Sequence, residues 1–201
     1  MEKKNGLFWY ISEMTEYIQK KDQVLDWIRK ECVKAAKAKK KLICFPELTL
    51  AEHPFGPQMF YTTSVKHNAM IQKLRELCRC YGLYMIIGIA EPSIVPGKIY
   101  DTVLTVNPVG EVLDRYVVYV LDGERQLFFS RAAKKEEHIL KLPFADIGLL
   151  AGGDAFDEEM LQAYHEADMI VLCLSDQNMG KIRACEIKEK LHKPVILTAG
   201  K

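Results

Sequence analysis

The sequence has almost no excess charge of either sign. Its 28 lysine and arginine residues are balanced by 27 aspartate and glutamate residues, which leaves a formal net charge of +1 at pH 7. Proteins that bind nucleic acid or an anionic membrane usually carry a basic excess on one surface. We therefore expect neither nucleic acid nor a membrane as a partner. The one lysine-rich stretch, residues 37–41, is interpreted as the solvated end of a helix.

The sequence also lacks a long hydrophobic run. No segment approaches the roughly 18 apolar residues that a membrane-spanning helix needs, and residues 1–17 contain no sustained apolar stretch typical of a signal peptide. We therefore expect a cytoplasmic protein whose cysteines are reduced, since several of them lie in apolar periodic segments. The six cysteines are Cys32, Cys44, Cys78, Cys80, Cys173 and Cys185.

The chain does contain enough apolar surface for one large core. Hydrophobic residues make up 49% of its 201 residues, which argues against disorder and predicts a single α/β domain over residues 1–201. Apolar periodicity alternates between strand-like and helix-like segments. The predicted strands cover residues 7–11, 42–45, 83–90, 99–107, 112–121, 147–151, 169–174 and 194–199. The predicted helices are one capped by Asp22, which ends at the lysine stretch, and the segments 64–81, 156–167 and 181–191.

The order of these segments predicts where a ligand binds. Strands that alternate with helices, together with one hairpin around the Pro-Gly turn 108–111, predict a mixed sheet covered by helices. Open α/β sheets bind ligands beyond the carboxyl ends of their strands. Glu47, Gly152 and the pair Ser175-Asp176 follow three such strands. We expect these positions to line one pocket.

The segment IGLLAGGDAF, residues 147–156, has the pattern of an active-site turn but no reactive side chain in the turn. A buried strand that ends in a glycine turn before a helix is a common place for a reactive side chain. Here the turn consists of Gly152 and Gly153, which bring no side chain.

Four motifs, in this order, resemble those of the nitrilase, or carbon–nitrogen hydrolase, superfamily. They are LICFPELTL (42–50), LYMIIGIAE (83–91), IYDTVLTVNPVGEVLDRY (99–116) and IGLLAGGDAFDEEMLQAYHEADMIVLCLS (147–175). The match covers nearly the whole chain. The resemblance implies an α/β fold of the α-β-β-α sandwich type in a single domain. It also implies truncation at the C-terminus, because family members continue with further strands after the segment similar to PVILTAGK.

The resemblance implies a catalytic triad of which this chain keeps one member. Family members use a cysteine nucleophile, a glutamate general base and a lysine that stabilises the charged intermediate. Transferred by position, Glu47 falls on the general base, Val118 on the lysine and Gly152 on the cysteine. Two of the three catalytic groups are therefore absent. An alternative is that Glu47 has only a structural role, in which its carboxylate hydrogen-bonds a neighbouring loop.

Four further residues are candidate ligand-binding positions. Glu124 is similar to an additional acidic residue found in many family members, and Gly153 replaces a residue that is normally bulky. Ser175 ends the strand after the nucleophile position. Asp154 is expected to hydrogen-bond backbone amides at the start of the following helix.

No other residue is expected to supply the missing chemistry. Cys44 and Cys173 are interpreted as inert packing inside buried strands, and the pair Cys78 and Cys80 as packing without partner ligands. We expect no cofactor and no metal. One less favoured alternative is that Glu47, Asp154 and Asp176 converge on a divalent cation. The five histidines show no metal-binding spacing and are expected to be structural or exposed: His53, His67, His138, His165 and His192.

The sequence thus favours a carbon–nitrogen hydrolase (nitrilase/amidase)-like protein without Cys-dependent hydrolysis. We expect its partner to be a small amide, amine or carboxylic acid. Two alternatives stay open. One is a hydrolase with a rearranged mechanism, in which Glu47 and Asp154 activate water directly. The other is a scaffold or regulatory subunit that forms a homodimer or pairs with an active homologue.

Overall fold

The computed structural model describes residues 8–12, 21–51 and 57–200, with the side chains of residues 21–22 and 57–67 outside that description. Its strands are β1 (Trp9–Ile11), β2 (Leu42–Cys44), β3 (Tyr84–Pro92), β4 (Ile99–Val106), β5 (Val112–Val117), β6 (His138–Leu142), β7 (Ala145–Ala151), β8 (Met169–Leu174) and β9 (Val195–Ala199). Its α-helices are α1 (Lys21–Lys37), α2 (Pro57–Tyr81), α3 (Arg125–Phe128), α4 (Glu158–Gln162) and α5 (Gln177–Leu191).

The strands form two sheets, each of which mixes parallel and antiparallel pairs. The first sheet has the order β1-β2-β3-β4-β5; β1, β2 and β3 are parallel neighbours, and β4 and β5 are added antiparallel. The second has the order β6-β7-β8-β9, in which only the β6–β7 pair is antiparallel. The predicted hairpin is confirmed as β4–β5.

The two sheets pack face to face, with helices on their outer faces. On β2, Leu42 and Cys44 belong to the core between the sheets, whereas Ile43, together with Phe45 directly after the strand, packs under α1 and α2. Both faces of this strand are therefore buried, which explains its unbroken apolar run. The outer face of the second sheet packs against α4 and α5. The predicted α-β-β-α sandwich is confirmed.

The predicted helix 156–167 is broken into three short pieces. A 3₁₀ turn (Gly152–Phe156) comes first, then α4, then a second 3₁₀ turn (Ala163–Glu166). Asp157 starts α4 anew, because its side chain accepts hydrogen bonds from the backbone N–H groups of Glu159 and Met160. Tyr164 interrupts the helical backbone, and its buried hydroxyl donates to the Leu149 carbonyl at 2.9 Å.

Other differences concern the ends of elements and one missed strand. Helix α1 begins at Lys21, so Asp22 lies inside the helix and the predicted cap is wrong. Strand β6 falls in the stretch after Leu121 that has no clear periodicity; it pairs with β7, and its Leu140 and Leu142 are buried in the core between the sheets. Gly82 follows the last residue of α2 and has φ +64°, a conformation that favours glycine at the end of a helix. None of the helices in the described ranges is both long and apolar enough to cross a membrane.

Candidate functional site

Glu47 lies in a tight turn directly after β2 and against β3. The Gly88 N–H donates to the Pro46 carbonyl at 3.1 Å, and the Leu50 N–H donates to the Gly88 carbonyl at 3.4 Å. A Cβ atom at position 88 would overlap the backbone of Glu47, so only glycine permits this close approach. Glu47 is 2% exposed. The carboxylate is thus buried at the carboxyl end of β2.

Arg125, the first residue of α3, supplies the cation of this site. Its Nη2 donates to Oε2 of Glu47 at 2.6 Å and to Oγ of Ser175 at 2.6 Å. Its Nη1 lies 3.8 Å from Oδ1 of Asp122, a side chain that is 67% exposed. The Arg125 side chain is only 12% exposed, so its attraction to Glu47 is weakly screened by water. Sequence reasoning missed Arg125, although it directly follows the candidate Glu124.

Gly152 meets both of the other predicted triad positions. A Cβ atom built on Gly152 would lie 2.6 Å from Oε1 of Glu47, 3.0 Å from Nη1 of Arg125 and 3.1 Å from Cγ1 of Val118. Its φ of +52° is a conformation that side-chain-bearing residues rarely adopt. The structure therefore brings Glu47, Val118 and Gly152 together. The positive charge beside them comes from Arg125 and not from position 118.

Asp154 is bound differently from the prediction. Its Oδ2 accepts hydrogen bonds from the Tyr116 hydroxyl at 2.9 Å and the Tyr119 N–H at 2.9 Å, and its Oδ1 accepts from the Val120 N–H at 2.6 Å. Asp154 thus fixes the segment after β5, while Asp157 caps the following helix. The predicted cap is wrong because the Gly152–Phe156 turn packs against that segment. Burial raises the pKa of the Asp154 carboxyl, and the hydrogen bonds from Tyr119, Val120 and Tyr116 oppose this.

The close packing of this turn also explains Gly153. A Cβ atom at position 153 would overlap the Val120 carbonyl oxygen. Both oxygens of Asp154 already accept hydrogen bonds on this side of the turn. The carboxylate of Asp154 is therefore buried and hydrogen-bonded within the protein.

A second buried carboxyl, Asp101 on β4, lies beside Glu47. Burial raises the pKa of Glu47, and the charge of Arg125 opposes that shift. Burial, followed by the charge of Glu47, raises the pKa of Asp101 well above its usual value. Two neighbouring carboxyls in a buried site resist joint ionisation. Sequence reasoning missed Asp101, whose signal is an acidic residue inside the apolar run IYDTVLTV.

A pocket of about 320 Å³ opens beside Arg125 and Gly152. This volume is at the lower end of the range for small-molecule sites. Of the predicted strand-end residues, Gly152, Ser175 and Asp176 line the pocket whereas the buried Glu47 does not, and α3 contributes Arg125. The other lining residues are Asp122, Phe156, Leu174 and Met179. The pocket thus combines an apolar wall with the guanidinium group, a hydroxyl and the side chains of Asp122 and Asp176.

Two candidate residues have other surroundings. Glu124 is exposed, makes no capping hydrogen bond, and is not among the residues that line the pocket. Asp176 caps α5, since its Oδ1 accepts from the N–H groups of Asn178 at 2.8 Å and Met179 at 2.9 Å. Glu47, Asp154 and Asp176 thus each have separate partners. No cluster of three or more His, Cys, Asp or Glu suited to a metal ion occurs in the described ranges.

The cysteine thiols near the site are buried and protonated. Cys44 and Cys173 are fully buried, and burial raises the pKa of both thiols. Thiols in such surroundings are poor nucleophiles at neutral pH. In the described part of the chain no sulfur forms a hydrogen bond with Glu47. Cys78 is buried whereas Cys80 is exposed, and neither forms a disulfide.

The histidines with described side chains lie away from the pocket. The Nδ1 atom of His138 lies 2.9 Å from Oδ2 of Asp114, and its ring stacks on Tyr116 with centroids 4.3 Å apart. His165 and His192 are exposed. His53 lies outside the described residues, and so does the side chain of His67.

A two-sheet sandwich with a buried glutamate after β2 and a tight turn after β7 defines the class of protein to which this chain belongs. The sequence matches the carbon-nitrogen hydrolase family over residues 11–186. The chain therefore belongs to the carbon-nitrogen hydrolase family. No curated protein matches it in a sequence comparison.

Solved structures of amidases share this fold. An amidase from Nesterenkonia sp. superposes with a TM-score of 0.84 at 18% identity, over 94% of this chain and 74% of the amidase. A cysteine-to-alanine variant of the Nesterenkonia sp. AN1 amidase in complex with butyramide gives 0.83 at 18% identity, over 94% and 75%. A variant showing covalent addition of the acetamide moiety of fluoroacetamide at the active-site cysteine gives 0.83 at 18% identity, over 94% and 74%. At this identity the likeness establishes the fold alone.

Proposed function

We propose that this carbon-nitrogen hydrolase-family protein does not perform Cys-dependent hydrolysis and instead uses the family pocket to bind a small ligand. The observation that carries this proposal is the position of Gly152. It directly follows β7, at the position where the resemblance places a thiol and where a Cβ atom would lie 2.6 Å from Oε1 of Glu47 and 3.1 Å from Cγ1 of Val118. Without that thiol no acyl-enzyme forms at this position.

The loss of the nucleophile outweighs any remaining stabilisation of charge. Removing the nucleophile from a catalytic constellation lowers turnover by on the order of 10⁶-fold. The nearby thiols of Cys44 and Cys173 do not replace it, since both are fully buried and held protonated. Arg125 supplies a positive charge, but it forms an ion pair with Glu47 instead of standing free.

The residues that line the pocket favour some of the expected ligand classes, which are amides, amines and carboxylic acids, over others. The guanidinium group of Arg125 only donates hydrogen bonds, and Arg125 lines the pocket together with Gly152. Phe156, Leu174 and Met179 form an apolar wall. We therefore infer that the ligand carries an acceptor oxygen on a short apolar body, as amides and carboxylic acids do. A simple amine lacks this acceptor.

A matched series of three compounds tests the ligand class. Butyramide, butyrate and butylamine share one apolar body and differ in the polar group. A ligand at about a hundred times its Kd adds about 2.7 kcal/mol of stability, which for a chain of this length raises Tm by roughly 5–10 °C. We expect a shift with butyramide or butyrate and none with butylamine. Butyramide should release ammonia in these incubations at less than about 0.1 s⁻¹.

Two variants show whether such a shift comes from this pocket. Arg125→Met removes the proposed donor and should abolish the shift. Arg29→Met, which removes an exposed arginine of α1 paired with Asp26, should leave it unchanged. A shift confined to butylamine, or one that persists in Arg125→Met, would refute the assignment of the ligand class.

Assembly stays a separate proposal. A scaffold or regulatory role requires that the chain pair with itself or with an active homologue. If the chain pairs with itself, light scattering at micromolar concentration should give twice the mass of one chain. A strict monomer would count against self-pairing.

A further inference from the structure

Asp101 is an acidic residue in the middle of the sandwich. It lies on β4 opposite Ala90 of β3, and its backbone carbonyl accepts a hydrogen bond from the Val118 N–H at 2.9 Å. The whole residue is 0% exposed. A carboxyl group here has left water completely, so its state depends on the groups around it.

The carboxyl oxygens of Asp101, next to Glu47, have no hydrogen-bond donor among the described residues. Both carboxyl oxygens of Asp101 and Oε1 of Glu47 are buried, and none receives a hydrogen bond from an N–H or O–H group in the described ranges. Three buried acceptors without a donor are costly, and two adjacent carboxylates repel each other. Gly152, at which a Cβ atom would lie 2.6 Å from Oε1 of Glu47, has no side chain to supply a donor.

We propose that Asp101 is a positioning residue that carries a proton at neutral pH and donates it to Oε1 of Glu47. The two carboxyls then share one proton and a single negative charge. Arg125 decides where that charge resides, because it donates to Oε2 of Glu47 at 2.6 Å. Glu47 is therefore the carboxylate and Asp101 the acid.

The electrostatics of the site agree with this arrangement. Burial and then the charge of Glu47 raise the pKa of Asp101 well above its usual value, while Arg125 opposes the shift. A hydrogen bond between the two carboxyls lowers the pKa of Glu47 and raises that of Asp101. The other titratable groups that face Asp101 are Asp154, in the turn after β7, and the protonated thiol of Cys173 on β8.

This arrangement gives each oxygen of Glu47 a donor. Oε2 pairs with Arg125 and Oε1 with Asp101, so the carboxylate holds Arg125 at the pocket wall and does not take a proton from water. The pair therefore acts on the pocket through the position of Arg125. This inference goes beyond the proposed function and does not depend on which ligand binds.

Infrared difference spectroscopy tests the proton directly. The full chain at pH 7 should show the C=O stretching band of a protonated carboxyl, and Asp101→Asn should lack it. The matched control Asp114→Asn, at an acidic residue paired with His138, should retain the band. If the wild-type chain and Asp101→Asn give the same spectrum in this region, the proposal is wrong.

Stability against pH gives a second readout. A carboxyl whose folded pKa is raised contributes stability that is complete below its unfolded pKa of about 3.9 and is lost as pH rises through the folded pKa. The folding equilibrium constant of the wild-type chain relative to Asp101→Asn should therefore fall by up to tenfold per pH unit above about pH 4. Equal slopes for the two chains would overturn the proposal.

A third variant keeps the test decisive if Asp101→Asn does not fold. Glu47→Gln removes the negative charge that raises the pKa of Asp101. The pH at which the protonated-carboxyl band disappears should then be lower than in the wild-type chain. An unchanged midpoint would show that the two carboxyls do not share a proton.

Discussion

Nη2 of Arg125 lies 2.6 Å from Oε2 of Glu47 and 2.6 Å from Oγ of Ser175. One guanidinium nitrogen thus joins α3 to the turn after β2 and to the end of β8. Glu47 and Arg125 are 78 residues apart in sequence, and the ion pair between them closes the end of the sandwich. The residue at the centre of the site is therefore also part of its structural support.

Arg125→Met should be strongly destabilising, because it leaves the buried carboxylate of Glu47 without its ion-pair partner. We expect a loss of about 3–5 kcal/mol in the free energy of unfolding. Since the pKa of Glu47 then rises further, the loss should be smaller at pH 5 than at pH 8. Denaturant unfolding at both pH values measures it.

A double-mutant cycle separates the interaction energy of this ion pair from other effects of the two substitutions on stability. The variant carrying both Glu47→Gln and Arg125→Met should lose less stability than the sum of the two single changes, by about 0.5–3 kcal/mol. Arg29→Met, at an exposed ion pair on α1, should change stability little. Strict additivity of the two changes would argue against the pair.

The sequence predicts the strand ends of this site well and its cation poorly. Glu47 and Gly152 follow strands whose apolar runs are unmistakable, so their place at one end of the sandwich follows from the fold. Arg125 lies in a stretch without periodicity. That stretch reaches the site through tertiary hydrogen bonds, such as the Ser130 N–H to the Ile99 carbonyl at 2.7 Å and the Ala132 N–H to the Val118 carbonyl at 3.0 Å. No local pattern encodes those contacts.

The sequence does contain a sign that Asp101 has a special role. An aspartate inside a strand of apolar and threonine residues is unfavourable unless something compensates it. The sequence pattern does not reveal that its partner is Glu47. The two residues come together because β2, β3 and β4 are neighbours in the first sheet. The strand order, and not either motif, creates the carboxyl pair.

Gly152→Ala should be destabilising for two separate reasons. The positive φ costs about 1–2 kcal/mol for a residue with a side chain, and crowding against Glu47 and Val118 adds about 1–3 kcal/mol. Gly123→Ala is the matched control, since Gly123 has φ +47° but nothing within 4 Å of its Cβ position. Chemical denaturation should show the larger loss for Gly152→Ala. Equal losses would mean that position 152 is not crowded.

Asp154→Asn should loosen the segment after β5. The amide group of asparagine would face a donor where the carboxylate now accepts three hydrogen bonds. We expect a loss of about 1–3 kcal/mol in the free energy of unfolding and faster hydrogen exchange at the Tyr119 and Val120 amides. Asp157→Asn, at the cap of α4, should cost much less, because asparagine caps helices about as well as aspartate. Unchanged exchange in Asp154→Asn would contradict this account.

Hydrolysis of small amides and nitriles by the purified protein tests the central claim most directly. Released ammonia should be measured for butyramide and related short compounds, at protein concentrations that detect a single turnover. We predict turnover below about 0.1 s⁻¹, against the range of roughly 1–10³ s⁻¹ that is usual for enzymes. Turnover above about 0.1 s⁻¹ that a thiol-alkylating reagent abolishes would contradict the claim that this site lacks Cys-dependent chemistry.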